Sequence, residues 1–193
     1  MRRSALTRET SETRIHLEVS LDGAGDSEIS TGHGFFDHML THIARHGGLE
    51  LTIAATGDLH VDDHHLIEDV GLCLGRGIDQ ALGDKRGIER FGHAFVTMDE
   101  ALARTVLDLS GRSYLAFQAS FSREAINGFS LELVREFFRA VSTEGRMNLH
   151  ITLLYGTNAH HQVEAIFKSF GRALRMAVAR TAGENIPSTK GVL

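Results

Sequence analysis

The chain repeats itself. His-His-x-x-Glu occurs at His64, His65 and Glu68 in HVDDHHLIED, and again at His160, His161 and Glu164 in NAHHQVEAIF. Placing His64 on His160 brings the surroundings into line as well. Upstream, GLELTIAATGDLHVDDHH answers MNLHITLLYGTNAHH: alternating apolar residues, a polar turn, then the paired histidines. Downstream, LIEDVGLCLGRGIDQAL answers QVEAIFKSFGRALRMAV, both with apolar residues at the three- and four-residue spacing of a helix. Further upstream, FFDHMLTHIARHGG answers LVREFFRAVSTEGR, which sets His38 opposite Glu136. A repeat of this length means that one supersecondary unit is built twice.

Each half reads as strands, a helix, a strand, and a helix opened by the histidine pair. The opening strands are RIHLEVSLDG and SEISTG in the first half, AFVTMDEALARTVLDLSG and SYLAFQASF in the second. Strand pairs followed by amphipathic helices predict an α+β fold, an internally duplicated sandwich in which each sheet is covered on one face by helices. The expected boundary lies near Gly92, giving halves 1–92 and 93–193, the second ending in the tail ENIPSTKGVL with the only proline, Pro187.

Composition narrows the function classes. A net charge of −5 does not suit a nucleic-acid or membrane-surface binder. No apolar run approaches the roughly 20 residues of a membrane span. The N-terminal MRRSALTRETSETR opens with an arginine pair and has no apolar segment behind it, unlike a secretory signal, so the expected location is the cytoplasm. Cys73, the single cysteine, lies in the apolar run VGLCLG and reads as a buried core thiol.

The histidine motifs carry the chemistry. On a helix, His64 and Glu68 are four apart and His65 and Glu68 three apart, and His160, His161 and Glu164 repeat that arc. Adjacent side chains diverge by about 100° around a helix, so one ion does not take both imidazoles of a pair. Each pair is therefore expected to serve two centres, or to belong to a frayed first turn, at a helix start with VDD and TNA supplying the caps. With His38 and Glu136 added, eight imidazole and carboxylate ligands imply two related metal sites suited to Mn, Fe or Zn. His33, His42, His60, His93 and His150 have no counterpart and read as surface or core residues.

The strings GHGFFDHML, DDHHLIEDVGLCLG, GDKRGIERFG, MDEAL, DLSGRSY, NAHHQVEAIFKSFGRAL and IPSTKGVL, in this order, make the chain resemble the imidazoleglycerol-phosphate dehydratase family along nearly its whole length. The resemblance implies a fold like that of ribosomal protein S5 domain 2, a 24-subunit homo-oligomer, and interface active sites with two Mn ions each. It implies metal ligation by His38, His64, His65, Glu68, Glu136, His160, His161 and Glu164, where Glu136 is the carboxylate variant of a position that is His in some relatives. It implies substrate contacts from Glu12, Arg90, Arg112, Lys168, Ser188 and Lys190, and places His46 on the lining of the site. Where relatives often have Asp-Gln, this chain has Thr41-His42, which argues against a direct role there.

The implied reaction is that of a hydro-lyase: water is lost from imidazoleglycerol phosphate to give imidazoleacetol phosphate, a step of L-histidine biosynthesis. No carbonyl acidifies the carbon that loses its proton, so the expected driving force is a metal-bound imidazolate that expels the hydroxyl. Glu12 is the expected proton shuttle, and the basic residues with Ser188 the phosphate clamp. A non-catalytic metal-binding or storage oligomer would use the same eight ligands without needing Arg90, Arg112 or the STK tail. A binuclear metallohydrolase lacks its bridging Asp-rich motif here.

Overall fold

A computed structural model describes residues 2–193. The first half runs β1 (Arg3–Glu9), β2 (Thr13–Ser20), β3 (Ser27–Ser30), α1 (Gly34–Gly47), β4 (Glu50–Gly57) and α2 (His64–Leu82). The second runs β5 (Phe91–Met98), β6 (Ala101–Asp108), β7 (Tyr114–Gln118), a small hairpin β8 (Ala125–Ile126) and β9 (Phe129–Ser130), α3 (Leu133–Glu144), β10 (Asn148–Tyr155) and α4 (Ala159–Val178).

The two sheets have the same wiring. Strand order is β1-β2-β4-β3 in one and β5-β6-β10-β7 in the other. In each, the first three strands are antiparallel and the last pair is parallel. The repeat read from the histidine motifs is thus a repeat of topology. It also matches β1 to β5, a strand the sequence reading did not anticipate: RSALTRE carries few apolar residues and none of them is fully buried. The other unanticipated element, β8-β9, turns on Asn127 and Gly128, both at positive φ, which suits the tight turn of a two-residue hairpin.

Alternation along the strands buries one face of each sheet, as in TRIHLEVS, where Ile15, Leu17 and Val19 point in. The helices cover those faces: α2 packs on β1 and β2, and α4 on β5 and β6. They also meet across the middle, α1 on α4 and α2 on α3. The result is a β-α-α-β sandwich whose centre holds Phe36, Phe137, Phe138, Phe167 and Phe170. Cys73 lies in this core, and burial pushes its thiol up to about 11, an inert structural cysteine.

Helix-helix closeness depends on glycine. A Cβ on Gly75 would stand 2.5 Å from Val141 O, and one on Gly171 3.0 Å from Ile43 O. Gly75 and Gly171 are related by the offset that relates His64 to His160. The duplication therefore repeats the contact that brings each motif-bearing helix against the short helix of the other half.

Candidate metal centre

Both histidine pairs open their helices. Asn158 caps α4, its Oδ1 accepting from His160 N at 2.9 Å and His161 N at 3.4 Å. In the first half it is Asp62 that accepts from His64 N, at 2.8 Å, while Asp63 makes no side-chain cap. Within each pair the imidazoles diverge as helical geometry requires, with ring centroids 6.3 Å apart and planes at 78° and 83°. The inner member, His64 or His160, faces the glutamate four residues on. The outer member, His65 or His161, faces away from it.

The cross-half packing of helices decides which groups meet. α1 brings His38 to α4, where His38 Nε2 and His160 Nε2 lie 3.2 and 3.1 Å from Glu164 Oε2. One ligand atom from each of these three residues falls within 4.8 Å of the others, a set that could hold an ion. Two imidazole nitrogens and a carboxylate oxygen suit a first-row divalent metal, so the donor set fits the group the sequence implied. Glu164 is almost fully buried at its head. Burial alone would raise its carboxyl, but the Lys168 ammonium at 2.5 Å and the surrounding imidazoles outweigh that and hold it at about 2.

The counterpart cluster is looser. His64 Nε2 stands 3.8 Å from Glu68 Oε2, and Arg139 on α3 donates to both Glu68 and Glu136, each at 2.7 Å. Glu136 therefore reaches the first-half motif through a guanidinium, as His38 reaches the second-half motif directly. A cleft of about 500 Å³ opens beside this cluster, lined by His64, Glu136, Phe117, Phe121 and Leu131 among others. Each cluster draws on both halves, and neither takes in the outer histidines. His65 Nδ1 lies 3.0 Å from Asp58 and 3.8 Å from Glu12, and His161 Nδ1 lies 2.7 Å from Glu100. Those carboxylates, led by Asp58 and Glu100 respectively, raise the two imidazoles from the ordinary histidine value.

The expected substrate residues fall into three groups. Lys168 sits at the Glu164 cluster and Glu12 beside His65. Arg90, Arg112, Ser188 and Lys190 gather where the tail crosses the second half. Arg90, with φ 67, forks both oxygens of Asp108 at 2.7 and 3.1 Å and donates to Pro187 O at 2.7 Å, so it ties the tail down. The chain end closes against the loop of Arg112, because a Cβ on Gly111 would meet the Leu193 carbonyl carbon at 2.6 Å. Ser188 Oγ accepts from Lys190 N at 3.2 Å, and the Lys190 side chain is exposed. Among the described residues, no hydrogen bond or ion pair joins the Glu12–His65 group to the Lys168–Glu164 group.

Sequence reasoning passed over His42. It lies 3.3 Å from Glu164 Oε2 and 3.2 Å from His38 Nε2, and burial pushes it down to about 4. His38, His42 and His46 form one ladder on α1, His42 stacking on His46 at 5.6 Å. Their four-residue spacing was the available signal. Asp58, Glu100, Arg139 and Asp108 were also missed, since single carboxylates and arginines in turns carry no pattern.

Comparison with known proteins agrees with this geometry. Residues 31–174 match the family model described as imidazoleglycerol-phosphate dehydratase. A protein of that name from Granulibacter bethesdensis is 56% identical, covering 100% of this chain and 99% of its own. The crystal structure of imidazoleglycerol-phosphate dehydratase from Staphylococcus aureus superposes with a TM-score of 0.84 at 44% identity, covering 93% of this chain and 99% of that one. The structure from Pyrococcus furiosus in complex with (S)-C348 gives 0.85 at 39% identity, covering 97% and 100%. The duplicated α+β fold, the histidine-carboxylate clusters and these matches converge, and the chain belongs to the imidazoleglycerol-phosphate dehydratase family.

Proposed function

We propose that this chain removes water from imidazoleglycerol phosphate to give imidazoleacetol phosphate, using two Mn ions per active site, in the cytoplasm. The observation that carries the metal reading is the convergence of His38, His160 and Glu164 from two halves of the chain. His64, Glu68 and Glu136 form the counterpart. When bound, the ions act as Lewis acids that favour the deprotonated imidazole ring, the form able to expel the hydroxyl on the adjacent carbon.

The remaining work falls to side chains. Glu12, half exposed beside His65, takes the proton from the carbon next to the one that loses its hydroxyl. Lys168, Arg112, Ser188 and Lys190 hold the phosphate, and Arg90 contributes by fixing the tail through Pro187 O. Anchoring the phosphate fixes the reacting carbons relative to Glu12, which converts binding energy into orientation.

Each chain has its two motif starts at separate places, and three ligands converge where eight ligands shared by two ions would give four. The reading therefore places the active site between subunits: the outer histidine of one copy completes a cluster of its neighbour and brings Glu12 to it, in a closed homo-oligomer of 24 subunits. The two halves, 1–92 and 93–193, act as one folded unit in it. The test adds imidazoleglycerol phosphate to Mn-loaded protein and follows the enolisable ketone by ultraviolet absorbance. Full metal occupancy with no product would refute the dehydratase reading. Glu12→Gln should abolish turnover with metal content unchanged, and near-normal turnover would remove Glu12 from the mechanism.

A further inference from the structure

We propose that Glu100 and Asp58 are positioning carboxylates for the two outer histidines, and that Asp58 is the residue that leaves Glu12 free to act on substrate. The proposal rests on the metal-dependent reading above. Its basis is a comparison of the two halves at one place. Glu12 is the last residue before β2, and Glu100 is the last before the equivalent strand β6. The two carboxylates are thus counterparts in the duplication, and each lies near Nδ1 of the outer histidine of its own half.

Their surroundings differ. Glu100 is fully engaged: Oε1 accepts from Thr157 N at 3.0 Å, Thr157 Oγ1 at 3.3 Å and Asn158 N at 2.7 Å, while Oε2 accepts from His161 Nδ1 at 2.7 Å. Among the described residues the Glu12 carboxylate accepts no hydrogen bond, and it stands 3.8 Å from His65 Nδ1. In the first half the bond to the histidine is made by Asp58, whose two oxygens lie 3.2 and 3.0 Å from His65 Nδ1. Asp58 follows Gly57 at the end of β4, where the second half has Thr157 after Gly156. The loop from there to the helix is also longer, residues 58–63 against 157–158.

An ionised carboxylate only accepts hydrogen bonds, so Nδ1 of His65 and of His161 must carry the hydrogen, and Nε2 keeps a lone pair for an ion. Both halves need that tautomer. The second half obtains it from Glu100, which then has no oxygen to spare. The first half obtains it from Asp58, so the counterpart of Glu100 is released. Substrate chemistry at Glu12 and its absence at Glu100 follow from the loop that carries Asp58.

The experiment titrates full-length metal-free protein with Mn2+ alone and measures free Mn2+ by electron paramagnetic resonance. In Glu100→Gln, the side-chain amide would donate to His161 Nδ1 and force the hydrogen onto Nε2. Affinity for one class of Mn2+ should fall about 10- to 100-fold, and Asp58→Ala, which removes the acceptor at His65 Nδ1, should do the same for the other class. Glu12→Gln should bind Mn2+ as the unmutated protein does. Adding Thr157→Asp to Glu100→Gln rebuilds the first-half arrangement and should restore affinity, which a merely structural loss would not allow. Should Glu100→Gln fail to fold, Asp58→Ala decides the matter, because the only side-chain partner hydrogen-bonded to Asp58 among the described residues is His65. Unchanged Mn2+ affinity in Asp58→Ala overturns the proposal. Failure of the unmutated protein to bind Mn2+ overturns the metal reading itself, and is seen before any variant is made.

Discussion

Gly75→Ala tests whether close helix contact is what assembles the site. The new Cβ would stand 2.5 Å from Val141 O and 2.7 Å from Gly145 N, both backbone atoms that no side-chain rotation can move. Ordinary contact at about 3.4 Å requires α2 and α3 to part by roughly 0.9 Å, a strain of the overpacking kind worth about 1–3 kcal/mol. Alanine returns up to about 1 kcal/mol of helix propensity, leaving a net loss of roughly 1–2 kcal/mol. For a chain of this size that lowers Tm by about 2–8 °C. Gly34→Ala is the control: Gly34 begins α1 with nothing within 4 Å of its would-be Cβ, so Tm should hold or rise slightly. Both are melted metal-free at one protein concentration, because association shifts Tm. The same displacement carries Glu136 and Arg139 away from Glu68, so Gly75→Ala should also weaken Mn2+ binding. A Tm at or above that of the unmutated protein would refute the close-contact argument.

Three other outcomes follow from the geometry. Asp22 is held at about 2, against an ordinary 3.8, chiefly by hydrogen bonds from Arg2, which also reaches Val178 O. A carboxyl lowered on folding stabilises the fold above its unfolded value, so the deficit of Asp22→Asn should be present at neutral pH and vanish as pH falls from about 4 toward 2. Exposure limits it to about 1 kcal/mol or less in denaturant titrations. Asp69→Ala strips the buried Thr13 hydroxyl of its 2.5 Å acceptor and Arg8 of its 2.9 Å ion pair, which should cost about 2 kcal/mol by the same assay. Arg90→Met frees the tail from Pro187 O; limited proteolysis should cut near the C-terminus, and KM for the phosphorylated substrate should rise about 10- to 100-fold with Mn2+ affinity intact.

The part of the fold legible in the sequence was the part with strong periodicity. α1, α2, α3 and α4 each carry an unbroken apolar face, and β2, β4, β6 and β10 alternate cleanly because one side of each is buried. β1 was not legible, because it sits at a sheet edge and its inward positions are Ser4, Leu6 and Arg8. Ser4 serves by donating to Gly77 O at 2.7 Å, a contact no hydropathy pattern encodes. The candidate ligands were legible because the repeat doubled a rare string. Their partition was not. Spacing along the chain put His38 in the first half and Glu136 in the second, whereas helix packing sends each to the motif of the other half.

That crossing bears on how a duplicated chain acquires asymmetry. Two identical halves would give two identical clusters, and the helix contacts at Gly75 and Gly171 preserve that frame. Differences then arise one side chain at a time, at positions the frame does not fix. His38 opposite Glu136 changes a donor type. Lys168 beside Glu164 has no charged counterpart beside Glu68, where position 72 is Leu72, and Arg139 on α3 supplies the cation there instead. Asp58 opposite Thr157 changes which carboxylate holds a histidine. Each half thus serves as an internal control for the other. A role assigned to a residue in one half should fail, or be taken over by a neighbour, at the matching position of the other. Glu100 meets that requirement: its oxygens are occupied, so it has the chemistry of Glu12 without the freedom to use it.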